Sequence, residues 1–327
     1  MKRFRPHIKD RIENLAITTQ VINWSKSHSL PGFKKVAIFE VIKFLIQEAR
    51  RTDLNMRASA MTYHFFLALF PSLIFFFTLT AYLPKDLDFY KTLEQSLLSI
   101  LPAGAKEYLI RDIITGLRPK AKGGFLSIGF ILAIWFGSHG ILALMRGFDK
   151  TYKSSFRKRN WVETHITAIL LTFGLGLLLM FSVLSIIFGE RILRWLLDYM
   201  DMSSFLMISI SSLKYIVSLV LFYSVIGIVY RYGPAINKPM KGISPGTLFA
   251  TIGSIILSVL FGIFVDKFGT YHKVYGAISA LIITLIWIRL NTLILILGFE
   301  LNAAIIINRD LMLQSKINQR LVNSEDL

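Results

Sequence analysis

The sequence predicts an all-α membrane protein: six transmembrane helices, amphipathic interfacial helices beside them, and both termini on the cytoplasmic side. Three observations predict it: the composition, six long apolar runs, and the placement of lysine and arginine. Of 327 residues, 54% are hydrophobic and 17% are charged, with a mean hydropathy of +0.56. Soluble domains are about 45–50% apolar and about 25% charged. A soluble core of this size cannot hide the surplus, so a bilayer is the solvent that suits it.

A helix crossing the hydrocarbon core needs about 20 mainly apolar residues at a rise of about 1.5 Å each. Six stretches qualify, at about 60–83, 123–146, 164–189, 208–230, 244–265 and 275–299. Four of the underlying runs carry no charge, while the fourth span contains Lys214 and the sixth contains Arg289. The runs are unbroken, whereas a membrane β-barrel would show short alternating segments. Ahead of them, residues 1–57 form a basic arm with amphipathic helices and no apolar core of a cleavable signal, so the first run is expected to remain as an anchor. Residues 309–327 form a cytoplasmic tail and 84–122 a long outer loop.

Orientation follows from the loops, because cytoplasmic loops are enriched in Lys and Arg. With the N-terminus inside, 24 Lys/Arg fall on the cytoplasmic side and 11 on the other, most of the 11 in the 84–122 loop. The formal net charge is +17, and 12 of the 37 basic residues precede the first apolar run. That placement suits an anionic membrane surface. The arm lacks the interleaved aromatics of a base-stacking platform, so no nucleic-acid partner is expected. Membrane lipids are the expected partners; no motif fixes an oligomeric state.

Four segments have apolar residues at helical spacing with charges between them, as interfacial helices do. VAIFEVIKFLIQEA at 36–49 is one; FYKTLEQSLLSIL and EYLIRDIITGL, within the outer loop, are expected to pack on the outer end of the bundle. ERILRWLLDYM at 190–200 is the fourth.

An ionisable residue inside a membrane is expensive, so each one is a candidate for function. Arg289 lies about halfway along the sixth span, where it either clamps helices together or binds an anion in a substrate path. Glu300 lies 11 residues on, nearly the same face but about 16 Å along the axis, so the two need separate partners. Asn302 belongs to the same polar set. On the second span, His139 and Arg146 are seven apart and share a face. Arg146 either snorkels to the headgroups or joins a site; His139, like His64 beside Tyr63 on the first span, is either a proton-relay group or a hydrogen-bonded structural residue. Pro71 is expected to kink the first span. Gly137, Gly140, Gly147, Gly174, Gly176, Gly246, Gly253 and Gly262 are expected to allow close helix contact.

Several chemistries lack their residues. There is no Cys, which excludes disulfides and thiolate metal sites. The six His are scattered, with no HxH or HExxH grouping, so no metal or other cofactor is expected. Neither a P-loop nor a G-x-S-x-G elbow is present.

Two stretches carry a family resemblance. ASAMTYHFFLALFP at 58–71 resembles the first-span motif of the YihY/BrkB family, once catalogued as ribonuclease BN. VYRYGPAIN at 229–237, with Tyr230 and Pro234, is followed by Pro245-Gly246, Tyr275-Gly276, Trp287 and GFELNAAI from Gly298, in the family's order and spacing. The resemblance covers about 58–308 and departs at Phe299, where the family often has a small residue, and at His64, where it often has Tyr. It implies a six-helix inner-membrane protein with cytoplasmic termini, linked to serum resistance, envelope phenotypes and transport of lipids or exported molecules. The ribonuclease label implies metallo-hydrolase chemistry whose His/Asp clusters this sequence does not contain. The expected function is therefore a transporter or lipid flippase without its own ATPase, acting on an anionic lipid or small exported solute. The alternative is a non-catalytic scaffold that recruits envelope partners through its amphipathic segments.

Overall fold

The computed structural model describes residues 16–51, 54–80, 94–95, 123–149, 152, 155–199, 204–237, 244–267 and 277–325. Eight helices follow in chain order among them: α1 Ala16–Ser27, α2 Ile38–Arg51, α3 Leu54–Thr80, α4 Gly123–Gly147, α5 Trp161–Tyr199, α6 Ser204–Tyr232, α7 Pro245–Lys267 and α8 Ala277–Glu325. The one extended pairing among the described residues is a single antiparallel bridge between Phe156 and Ile236.

Five of these helices hold stretches long and apolar enough to cross a membrane: Leu54–Leu79, Ser127–Gly147, Trp161–Ser182, Pro245–Val265 and Leu281–Gln319. The fourth expected span appears in α6 as a shorter apolar stretch, Ile216–Tyr232. The exposed faces agree with a lipid surrounding. Ile166, Leu170, Phe173, Leu177 and Phe181 on α5, and Ile252, Ile256, Val259 and Ile263 on α7, are all exposed. Contiguous apolar faces of this kind are rare on soluble monomers.

Two expected boundaries shift. Of the segment expected at 190–200, residues 190–199 continue α5 without a break, so α5 is 39 residues long, about 58 Å, well beyond the hydrocarbon thickness. Likewise α8 runs for 49 residues, carrying the sixth span straight into the tail. The chain passes through Pro71 as one continuous helix, with that residue buried. The outer loop falls outside the described residues, save 94–95, as do Tyr275 and Gly276.

Small residues set the close contacts, though not all of those expected. A Cβ added at Gly140 would lie 2.9 Å from the Phe65 ring, and one at Gly137 would lie 2.7 Å from Thr172 of α5. At Gly147 it would collide with the Met61 side chain, and at Gly253 it would press on Ile294. Gly174, Gly176 and Gly262, by contrast, face open space and make no close contact. Their Cβ positions point off the packed face, which spacing along one helix cannot reveal.

The tightest crossing joins α7 to α8. A side chain on Gly246 would collide with the Gly298 carbonyl; one on Gly298 would meet the Gly246 carbonyl and the Tyr230 hydroxyl, each at 2.7 Å. Beyond that crossing, α8 is buried on nearly every side, with Leu301 half-buried. Phe299, Glu300 and the whole run Asn302 to Ile307 are buried. A helix that is buried all round needs partners on all sides, and here they are the loops and the arm. Val36, Val41 and Phe44 pack on Ala304, Ile305 and Leu301. Phe148, Phe156 and Tyr230 surround Phe299, with Phe148 stacked on it at 4.1 Å. The amphipathic helix expected in the arm thus places Val41 and Phe44 on the bundle, while Ile42 and Ile46 stay exposed.

Since the obstruction at Gly246 is backbone rather than a flexible side chain, Gly246→Ala should destabilise by about 1–3 kcal/mol or more, as overpacking does. Thermal denaturation in detergent should show a lower midpoint for Gly246→Ala and an unchanged one for Gly262→Ala.

Candidate functional site

Among the described residues, the candidate polar groups of the sequence gather in three places with different surroundings. The first is a buried clamp. Glu300 is 2% exposed on α8, and its Oε1 lies 3.4 Å from Arg57 Nη1 at the start of α3, whose side chain is 24% exposed. The same nitrogen donates to the Gly147 carbonyl at 3.0 Å, closing the C-terminal end of α4. One guanidinium therefore joins three helices. Cations at a helix C-terminus are favoured by the aligned peptide dipoles and unpaired carbonyls found there.

Two residues further, Asn302 completes the N-terminus of α7. Ser244 is the N-cap, its Oγ accepting the Thr247 N–H at 3.1 Å, and Pro245 fills the first helical position, where a missing N–H costs nothing. Asn302 Oδ1 takes the Gly246 N–H at 2.8 Å, and its Nδ2 donates to Ser244 Oγ at 2.7 Å. Tyr230 donates from its hydroxyl to the Leu295 carbonyl at 2.5 Å. Tyr230, Gly246 and Gly298 thus meet in one contact, while Pro234 lies buried in the loop after α6.

A loop seam flanks the clamp. Arg157 N–H donates to the Ala235 carbonyl at 2.8 Å and Asn237 N–H to the Ser155 carbonyl at 2.9 Å. Arg159 donates to the carbonyls of Gly233 and Tyr232, at 2.7 and 2.9 Å, satisfying the end of α6. Ser155 donates to Asp310 on α8 at 2.7 Å. The described loop residues 155–160 and 233–237 therefore meet at the same end of the bundle as Arg57 and the buried part of α8.

The second set is a polar track on the outer sides of α3 and α4. His64 and His139 have ring centroids 6.3 Å apart, and Tyr63 packs edge-on to His64 at 5.4 Å. His139 Nδ1 lies 2.8 Å from the Trp135 carbonyl, which can only accept, so the proton is on Nδ1 and Nε2 is left for another partner. Tyr63 is 60% exposed and Trp135 61%, and Arg146 is exposed at the end of α4. His64 is within electrostatic reach of both His139 and Arg146.

The third set is Arg289 alone, exposed on α8 and without a partner among the described residues. It joins neither the clamp nor Glu300. Among the described residues no three His, Asp or Glu gather as a metal site would require.

Sequence reasoning did not single out Arg57, Ser244 or the Phe148–Phe299 stack. Arg57 had a readable signal: it is the last charge before the first apolar run, as Glu300 is the first after the sixth. The departure at Phe299 is absorbed by the aromatic cage around it.

Helices with lipid-like exposed faces, joined by one buried ion pair, define a polytopic α-helical membrane protein. The chain belongs to the family described as virulence factor BrkB, whose sequence pattern matches residues 45–320. It is 33% identical over 248 residues to the ribonuclease-like protein YfkH of Bacillus subtilis, covering 76% of this chain and 88% of that one. Proteins of Xanthomonas oryzae and Xanthomonas axonopodis named UPF0761 membrane protein are 38% identical over 74 residues, 23% of this chain, and 17% and 18% of theirs. No solved structure matches the chain.

Removing one member of a buried ion pair typically costs about 3–5 kcal/mol, while replacing both is far milder. Arg57→Met should therefore lower the thermal midpoint in detergent sharply. The double variant Arg57→Met, Glu300→Leu should be less destabilised than the sum of the two single changes, a coupling that a double-mutant cycle measures.

Proposed function

We propose that the chain is a six-span protein of the bacterial inner membrane with both termini cytoplasmic, acting as a transporter or lipid flippase without its own ATPase. The single observation that carries the transport reading is the track of Tyr63, His64, His139 and Arg146 on the exposed sides of two packed helices. Polar groups facing hydrocarbon are disfavoured unless something polar passes or binds there. Arg289 adds an exposed cation about halfway along the expected span at 275–299, in the N-terminal part of α8. The clamp residues serve a different end: Arg57 ties α3 to Glu300 of α8 and to the end of α4, and Asn302 ties α8 to the start of α7, which holds the bundle closed.

The orientation is supported by the meeting of the basic loops, the arm and α8 at one end of the bundle, since those segments carry most of the Lys and Arg. The six-span count is supported by the apolar stretch of α6 lying between α5 and α7 in an order that returns the chain to that end. The scaffold reading loses part of one surface, because Val41 and Phe44 of α2 are already packed against α8, although Ile42 and Ile46 stay exposed. The ribonuclease-like name of the Bacillus relative would need a gathered set of acid or histidine ligands, which the described residues do not provide.

Two measurements test the proposal. Cysteine labelling from either side, on this naturally cysteine-free chain, should place residues 20 and 320 in the same compartment; opposite compartments would refute the topology. In proteoliposomes, wild type should move lipid or anionic solute faster than empty vesicles, and Arg289→Ala should be slower. Rates no different from empty vesicles would refute the transport reading.

A further inference from the structure

We infer that the groove between α3 and α4 binds the phosphate-bearing headgroup of an anionic lipid drawn from the inner leaflet, its tails remaining in the surrounding hydrocarbon. The inference rests on the transport reading and names the substrate class of the same track.

The chemistry selects an anion. The groups facing the groove are Tyr63 and His64 from α3 and His139 and Arg146 from α4. Arg57 lies at the head of α3, already bonded to Glu300 and Gly147. The nearest described carboxylate on this side, Asp149, follows the end of α4 and has Arg146, Arg57 and Arg159 around it. Within the groove there are donors and one fixed positive charge, and no described acid. Arg146 has no bonded partner among the described residues, and a guanidinium offers five N–H donors in a fork that suits phosphate oxygens.

Geometry makes the ligand a lipid rather than a soluble anion. His139 is seven residues from Arg146, about 10 Å along α4 toward its N-terminus. Helical side chains lean toward that N-terminus, so the Arg146 side chain reaches back over the gap toward the two rings. The donors therefore form a ladder that starts at the helix end and descends into the span. The face is lateral: Ile128, Ile131, Leu132 and Trp135, farther along α4 from Arg146, are exposed apolar side chains. A headgroup in the ladder leaves its acyl chains against those residues, whereas a free phosphate would have apolar walls and nothing to fill them. The floor is rigid, since Gly140 and Gly147 bring α4 against Phe65 and Met61 of α3.

The test is native mass spectrometry of the detergent-purified full chain with phosphatidylglycerol, phosphatidylcholine or inorganic phosphate as the probe. Phosphatidylglycerol should be retained in preference to phosphatidylcholine. The double variant Arg146→Gln, His139→Gln should lose about tenfold in phosphatidylglycerol affinity, the size expected for losing one charge-assisted hydrogen bond or more. Arg231→Gln, an exposed arginine at the end of α6, should bind as wild type does. An unchanged thermal midpoint for the double variant shows that the loss is local; if that variant unfolds, Tyr63→Phe with His64→Gln replaces it and must show the same loss. Equal retention of the two lipids, equal loss in Arg231→Gln, displacement by millimolar inorganic phosphate, or a second copy of the chain occupying the groove would each overturn the inference. If the double variant loses binding while proteoliposome transport continues at the wild-type rate, the groove is not the substrate site although the transport reading stands. If lipid binds as described and no transport occurs, the transport reading falls and the lipid site remains.

Discussion

The architecture depends on how little free surface α8 has between Phe299 and Ile307, where all but Leu301 are buried. Most helices of a membrane bundle have one side on neighbours and another on lipid. Here a stretch of two turns is surrounded by other parts of the chain, and every surrounding part is fixed by it. Gly298 sets how near α7 can come, Glu300 calls for a cation from α3, and Phe299 fills the space between the two loops. Ala304 and Ile305 provide the seat for the arm. The bilayer drives none of these contacts, because lipid tails are as apolar as the helix faces; packing, hydrogen bonds and one ion pair do.

Much of the architecture was legible in the sequence, because crossing hydrocarbon imposes a length and a composition that can be counted residue by residue. The helices at 54–80, 123–147 and 245–267 follow directly from their uncharged runs. The amphipathic pattern of 36–49 announced a helix, though not its partner, since period says which face is apolar and nothing about what will cover it. The continuity of α5 through 190–199 was hidden for a related reason: charges at Glu190, Arg191 and Arg194 end a span in composition without ending a helix in backbone. Of the candidate site, the residue types were legible and their grouping was not. His64 and His139 are 75 positions apart and meet only through the α3–α4 packing. Arg289 and Glu300, neighbours in the list of intramembrane charges, have entirely separate surroundings.

Two regimes of polar chemistry coexist within this one bundle. The clamp is closed: the Arg57 guanidinium is divided between the Glu300 carboxylate and the Gly147 carbonyl, and Asn302 uses both ends of its amide on α7 and its cap. Groups so occupied stabilise and have little capacity for a ligand. The track is open: Tyr63, Arg146 and the second nitrogen of His139 have bonding capacity left over. Arginine occurs in both sets, so residue type alone does not separate structure from function; the number of donors already committed does.

The capping of α7 by a side chain of α8 has a mechanical consequence. Asn302 holds the first free amide of α7 and the serine that caps it, so the two helices share one joint rather than merely touching. Any screw rotation of α8 would carry the Asn302 side chain away from that amide and fray the first turn of its neighbour. Torque on the long C-terminal rod is thereby geared to the integrity of another helix, a crank whose throw is set by a single asparagine.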